Sequence, residues 1–494
     1  MIESKFFNLI LAAALVVAIV LTGVLLVQPE DSPLAAASAD NVLYASLFDP
    51  EKMMTVDIKV DETVWQGMLD KATAEMFIAV DLTINGSTFP SVAIRPKGNS
   101  SLSMVAATES DRFSFKIDFD QYVQGQTCFG LDKMTLNNIH ADTTYMKDFM
   151  SYKMMAEMGV PSPMFAFASI TVNGKPWGLY LAVEAIDASF AKRYFGSDYG
   201  QLYNAKSMDS GSILTATDIP GAEIPAVTPA VKPRAGFSLG AGTGCDLAYV
   251  GDDPKKYIGI LGNAIFYPKY KDYQAVILAL KHLSEKTEIE KYFDVDEILR
   301  YLAVHVTTVN LDSYNANLQQ NYFVYEGKGQ ISILPWDYNM SFGCFESKTA
   351  SSVVNFPIDT PVSQTSMESR PLIANLLADE KYMAQYHAYL QELVDKFFTS
   401  GKFAATVDQV DSLINEAVKI DPTAFFTYDE YMIAKEQFKL LGDLRGKSIQ
   451  GQLNGTIPST SADQKARPEA LLDSSAIDLS SLGIQFMQLM AGRH

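Results

Sequence analysis

The chain has 494 residues, enough for one large domain or two ordinary ones, and its 48% hydrophobic and 20% charged residues exclude a disordered or fibrous protein. Lys plus Arg number 39 against 58 for Asp plus Glu, and the formal charge of −19 argues against a surface built to neutralise nucleic-acid phosphates. Three cysteines (Cys128, Cys245, Cys344), with no CxxC and no His-rich spacing, allow one bridge at most and give no sign of structural zinc.

In chain order, Phe6–Val27 comes first, apolar except at Asn8, Thr22 and Gly23. As a helix it would be about 33 Å long, close to the hydrocarbon thickness of a bilayer. Residues 1–27 are therefore expected to be a membrane anchor. A signal segment is the rival reading, but the small-residue stretch Ala35–Ala39 stands far behind the apolar run for a cleavage site. Either way the remainder is expected outside the cytoplasm, membrane-anchored with an extracellular domain, or secreted if the segment is cleaved. Residues 28–48, rich in Pro, Ser, Ala and Asp, read as a linker.

From Asp49 the pattern is that of a folded domain running to 459, followed by a polar tail over 460–494. Thr55–Val60, Met76–Ile84, Phe89–Arg95, Phe113–Phe119, Phe165–Val172 and Trp177–Val183 read as strands, and Thr63–Lys71 and Thr143–Met158 as helices. Asn85-Gly86 and Asn173-Gly174 mark two tight hairpins. Ser207–Gly251 reads as an irregular insertion. Tyr270–Ser284, Asp296–Asn310, Arg370–Phe398, Ala404–Val418 and Tyr428–Gln452 carry helical periodicity, interrupted by a strand pair, Asn321–Tyr325 and Gln330–Leu334. A strand-rich half over about 49–186 and a helical half over about 187–459 is an α+β layout, that of a bilobal kinase-like fold with a nucleotide cleft between lobes.

Three constellations carry possible chemistry. In the first, Asp312 follows a helix and precedes a strand, Asn317 stands five residues later, and Asp337 closes the strand pair in Pro335-Trp336-Asp337. Phosphoryl transfer needs such a set: a carboxylate to orient the hydroxyl, and a carboxylate with an amide oxygen to hold the metal on the phosphates. The alternative is that Asp312 and Asn317 cap a turn. In the second, Arg95, Lys97, Gly98, Asn99 and Ser100 put basic residues and turn amides at a strand end, where they can grip an anion. Lys116 then interrupts an apolar strand, and a solvated strand face explains it equally well. In the third, running to Asp187, an apolar strand ends at Glu184 where the strand-rich half gives way; in a bilobal kinase this is the hinge touching adenine, and a strand end with solvated carboxylates is the alternative.

Taken together, RPKGNSS, FSFKIDF, NGKPWGLYLAVEAID, FGSDYGQLYNA and NLDSYNANLQQNYFVY…ILPWDYNMSFG, in this order, resemble the CotH family of spore coat protein H kinases, in its secreted Gram-positive form. The resemblance runs from about Met53 to Ser459. It implies an atypical protein-kinase fold that uses ATP with Mg²⁺ or Mn²⁺ to phosphorylate serine or threonine in secreted or surface proteins. It also implies Asp312 as the catalytic carboxylate and Asp337 as metal ligand. Asn321 matches the family's second ligand, where classical spacing points to Asn317. Lys116, with Arg95 and Lys97 near it, would hold the phosphates, and Asp148 or Glu157 would be its acidic partner. Asn339 replaces the second Asp of PWDxD, which weakens the case for a second metal. Adenylyl transfer on the same fold and a catalytically silent binding or adhesion module are the alternatives. The oligomeric state stays open.

Overall fold

The computed structural model describes residues 42–207 and 243–483. All of them belong to one compact unit, Asp40–His494. In its first half the strands are β1 (Met54–Lys59), β2 (Ile78–Ile84), β3 (Ser87–Lys97), β4 (Ser114–Asp118), β5 (Lys133–Asn137), β6 (Phe165–Val172) and β7 (Lys175–Glu184). Asn85 and Gly86 have φ of 47° and 84°, and Asn173 and Gly174 have 52° and 75°. Both residues of a two-residue hairpin turn need this left-handed conformation, which Asn and Gly adopt at least cost. The turns therefore pin β2 to β3 and β6 to β7.

The strands close into a barrel in the order β1-β2-β3-β4-β5-β7-β6, with β6 returning to β1. Every pair is antiparallel except β1 with β6, which runs parallel with Val56 beside Ile170. Alternation sends Ile94, Phe115, Ile117, Met134 and Leu136 into the barrel core. It turns Arg95, Lys97, Ser114, Lys116, Lys133, Thr135 and Asn137 to the other face, where Arg95, Lys116 and Thr135 form one cross-strand row.

Helix α1 (Glu62–Leu69) starts at Asp61, whose carboxylate accepts from the N–H of Thr63 and Val64. Helix α2 (Ser100–Ala106) follows β3, and α3 (Lys147–Glu157) follows β5. Helix α4 (Ala188–Phe195) leads to β8 (Gln201–Asn204). The second half contains α5 (Tyr270–Glu285), α6 (Val295–Thr307), β9 (Tyr322–Gly327), β10 (Gln330–Pro335), α7 (Pro371–Leu377), α8 (Glu380–Leu393), α9 (Lys402–Ile420) and α10 (Tyr428–Leu453). Strands β10, β9 and β8 make a second, antiparallel sheet. Phe149 and Met150 of α3 share one core with Leu302 of α6 and Phe438 of α10. Helix α3 is thus packed with the helical half, although its sequence lies among the strands.

Arg112, almost fully buried, fastens the two halves together. Its Nη1 lies 2.7 Å from Asp421 Oδ2, just past α9, and its Nε donates to the Asn138 carbonyl at 3.0 Å. Asp421 also accepts from Leu179 N–H at 2.9 Å. An added Cβ on Gly178 would stand 2.6 Å from Arg112 Nη1, so this junction needs a glycine.

The expected kinase-like bilobal fold with a transmembrane anchor is corrected here. The strand-rich part is a closed seven-stranded barrel, sealed by the parallel β1–β6 pair. Alternation fixes which face a strand buries, not which strand lies beside it, so closure is invisible in the sequence. The expected span Phe6–Val27 lies outside the described residues, and among those described no helix is long and apolar enough to cross a membrane. Arg370–Phe398, read as one helical run, is divided between α7 and α8, with Asp379 capping the second through the N–H groups of Lys381 and Tyr382.

Candidate active site

A cavity of about 900 Å³ opens between the polar face of β3–β5 and two loops of the helical half, 308–321 and 336–346. Of the residues singled out from sequence, Arg95, Lys97, Asn99, Ser100, Lys116, Asp312, Asn317, Asn321 and Asp337 line it, and Glu184 does not.

Asp312 follows α6 and is buried. Its Oδ1 accepts from Gln320 Nε2 at 2.8 Å and its Oδ2 from Asn321 Nδ2 at 2.9 Å. Asn321 Nδ2 also reaches the Asp312 carbonyl at 2.9 Å, so this amide is committed to Asp312 and its oxygen points elsewhere. Asn317 instead donates to Gln364 Oε1 at 3.4 Å, on the exposed side. The structure thus brings Asn321, not Asn317, against Asp312. Burial, opposed by the Gln320 hydrogen bond and helped by the Asp337 charge, pushes Asp312 up to about 7.

Asp337 follows β10 with φ of 60°. Its carboxylate has no hydrogen bond or ion pair among the described residues, while its backbone N–H donates to Tyr152 Oη at 3.0 Å. The next N–H, of Tyr338, donates to Asp148 Oδ1 at 2.6 Å. Asp148 and Tyr152 stand one turn apart on α3, so a single helix face holds the Asp337 turn. Burial and the Asp337 charge raise Asp148 to about 7. Among the described residues no three His, Cys, Asp or Glu side chains form a ready-made metal cage.

The basic side is arranged differently from the expectation. Lys97 Nζ donates to Asn137 Oδ1 at 3.2 Å and lies 5.6 Å from the Trp336 ring, beside Asp337. Asn137 Nδ2 faces Asp148 Oδ2 at 3.5 Å. Lys116 stands mid-sheet without a hydrogen bond or ion pair among the described residues, its pKa lowered by burial and by the Arg95 and Lys133 charges. Arg95 is paired with Glu75 and lies over the Phe77 ring. Asp148 is therefore linked to Lys97 through Asn137 and not paired with Lys116. Glu157 is remote, paired with Lys153 and Lys402. Glu184 is fully buried, accepting from Tyr44 Oη at 2.8 Å and Met164 N–H at 3.0 Å and paired with Arg193. It fastens α4 to the barrel and does not line this cavity, because the residue that ends an inward-facing run points into the protein. Asn339 donates to the His140 carbonyl at 2.9 Å.

Gln320, Asn137 and Tyr152 were not found from sequence, whereas Asp187 closes the constellation that ends in Glu184. Asp187, with burial raising it to about 7, lines the cavity 3.3 Å from Lys133. Asn321, Asp337 and Glu346 all have positive φ and all face the cavity. Asn and Asp adopt this conformation more readily than other side chains, whereas a glutamate there costs about 1–3 kcal/mol, and such residues gather where function holds them.

The family model described as CotH kinase protein matches residues 94–449. This chain belongs to the CotH kinase family. The CotH segment thus runs from β3 to α10 and contains every cavity residue named above except Glu75. The inner spore coat protein H of Bacillus subtilis (strain 168) is 25% identical over 306 residues, covering 61% of this chain and 73% of that protein. A chain of the Shewanella oneidensis MR-1 toxin–antitoxin complex of HipA, HipB and operator DNA superposes with a TM-score of 0.34 at 9% identity, over 76% of each chain. Membership of CotH supports a kinase-like function.

Proposed function

We propose that the protein is a metal-dependent protein kinase that moves the γ-phosphoryl group of ATP to a serine or threonine hydroxyl of a secreted or surface protein. One observation carries the reading. Asp312 and Asp337 face one cavity with opposite equipment: both oxygens of Asp312 are held by amides, and the carboxylate of Asp337 is unpartnered among the described residues. Mg²⁺ or Mn²⁺ takes one or two carboxylates with phosphate oxygens, and Asp337 with the amide oxygen of Asn321, unpartnered among the described residues, suits that need. Lys97 and Lys116, with the Gly98-Asn99-Ser100 turn, would hold the triphosphate. When bound, the metal nucleotide supplies the electrophilic phosphorus. Asp312 orients the acceptor hydroxyl and takes its proton, and a pKa near 7 leaves it part-ionised at neutral pH.

The test is labelled-phosphate transfer to a serine-rich acceptor, with mass spectrometry to distinguish a phosphoryl from an adenylyl adduct. Asp312→Asn should keep nucleotide binding and lose roughly 10²–10⁴-fold in transfer. Asp337→Ala should lose the stabilisation by metal and ATP, about 2.7 kcal/mol at a hundredfold excess over the Kd. Full transfer by Asp312→Asn, or an equal thermal shift in Asp337→Ala and wild type, would refute these roles.

A further inference from the structure

His305 lies on α6, seven residues before Asp312, and is buried out of reach of the cavity. Both ring nitrogens are engaged. Nε2 lies 2.9 Å from Asn315 Oδ1, and Nδ1 lies 2.8 Å from Tyr338 Oη and 3.5 Å from Tyr301 Oη. Asn315 Nδ2 donates to the Pro361 carbonyl at 3.2 Å, which leaves its oxygen as the acceptor. Nε2 therefore carries the proton and Nδ1 accepts from the Tyr338 hydroxyl. Burial holds this histidine down to about 4, so the ring is neutral at ordinary pH and keeps one tautomer.

The two partners belong to different loops. Asn315 is three residues past Asp312, and Tyr338 is the residue after Asp337. Tyr338 is held a second time by Asp148 through its N–H. Asp337 itself holds a positive φ, uncommon outside glycine, so the contacts on either side help to keep this turn in place. Removing a partner that orients a metal ligand typically weakens metal binding 10–100-fold.

We infer that His305 is a positioning residue for the proposed reaction: its imidazole ties the loop carrying Asp312 to the turn carrying Asp337, and so fixes the hydroxyl-facing carboxylate relative to the metal-facing one. The inference rests on Asp337 being the metal ligand. Tyr338→Phe removes one hydroxyl and leaves the ring packed. His305→Leu removes both bonds, and His305→Gln retains a donor and an acceptor.

The experiment titrates Mn²⁺ against each variant in the presence of ATP, following thermal shift and phosphoryl transfer, with melting in the absence of ligand as the control. Tyr338→Phe should raise the Mn²⁺ concentration at half-saturation roughly tenfold and lower kcat, with the KM for acceptor little changed. His305→Gln should recover part of what His305→Leu loses. If the variants melt earlier but bind Mn²⁺ and turn over like wild type, His305 only supports the fold and the inference is wrong. If His305→Leu does not fold, Tyr338→Phe alone decides by the same criterion. A wild type that ignores Mn²⁺ and ATP would overturn the metal reading and the inference with it, whereas a responsive wild type with an unchanged Tyr338→Phe overturns the inference alone.

Discussion

On the proposed mechanism, Gln320 sets the pH at which Asp312 can act as a base. The Nε2–Oδ1 contact of 2.8 Å places a neutral donor on a buried carboxylate that burial has already raised to about 7. A hydrogen bond to a charged group contributes about 1.5–3 kcal/mol, and one pKa unit corresponds to 1.36 kcal/mol. Gln320→Met keeps the volume and removes the donor, so the carboxyl should titrate roughly one to two units higher. At pH 7 its ionised fraction would fall from about one half to roughly 1–10%, a loss of about 5–50-fold in transfer, with recovery toward pH 9. The assay is the pH profile of kcat/KM for the acceptor at saturating metal nucleotide. A bound cation lowers both profiles alike and leaves their separation. Superimposable acid limbs for wild type and Gln320→Met would refute the reasoning.

Glu297 on α6 is buried; among the described residues its Oε1 has no partner and its Oε2 accepts only from Ile333 N–H at 3.2 Å. Burial and the Asp294 charge raise its pKa well above the usual glutamate value, so the folded state holds a proton that the unfolded state releases. Stability is therefore highest below the ordinary glutamate pKa and falls as pH rises toward the folded-state value. Glu297→Gln should gain about 1–3 kcal/mol over wild type in urea unfolding at pH 8 and nothing at pH 4; the reverse order would count against a buried, uncompensated carboxyl. Asp421→Ala strands the Arg112 guanidinium between the barrel and the helical half, and should cost about 3–5 kcal/mol in the same assay. A loss below 1 kcal/mol would mean that solvent reaches the junction.

Much of the local structure was legible because single residues dictate it. Asn-Gly pairs give hairpins, alternation gives β1 to β4, β6 and β7, and a helical stripe gives α5, α6, α9 and α10. Strand β5 was missed because only Met134 and Leu136 carry its alternation, whereas in β4 Phe113 and Phe119 extend that of Phe115 and Ile117. Helix α2 was missed because Ser100, Ser101 and Ser103 obscure its apolar face, and β8 because its four residues border the irregular insertion. For the site, order along the chain was enough to put Asp312 after a helix and Asp337 after a strand, and both line the cavity. Which amide meets Asp312 depends on a loop whose Gln319 and Asn321 have positive φ, and residue counting assumes regular backbone. Asp148 and Tyr152 hold other residues by their backbone N–H groups, a partnership that leaves no mark in side-chain pattern.

The seam of the barrel also has consequences during synthesis. Strand β1 can pair with β2 almost at once, but its other edge waits for β6, with Val56 meeting Ile170. At about 5–20 residues per second the intervening chain takes roughly 6–25 s to emerge, and that edge is open to other chains meanwhile. Asp57 and Lys59 put charge on the waiting strand, which discourages sheet extension by a stranger. When β6 arrives, Asp57 changes occupation: its carboxylate accepts from Thr171 Oγ1 and from Gly174 N–H, so the guard of the open edge becomes the fastening of the closed one.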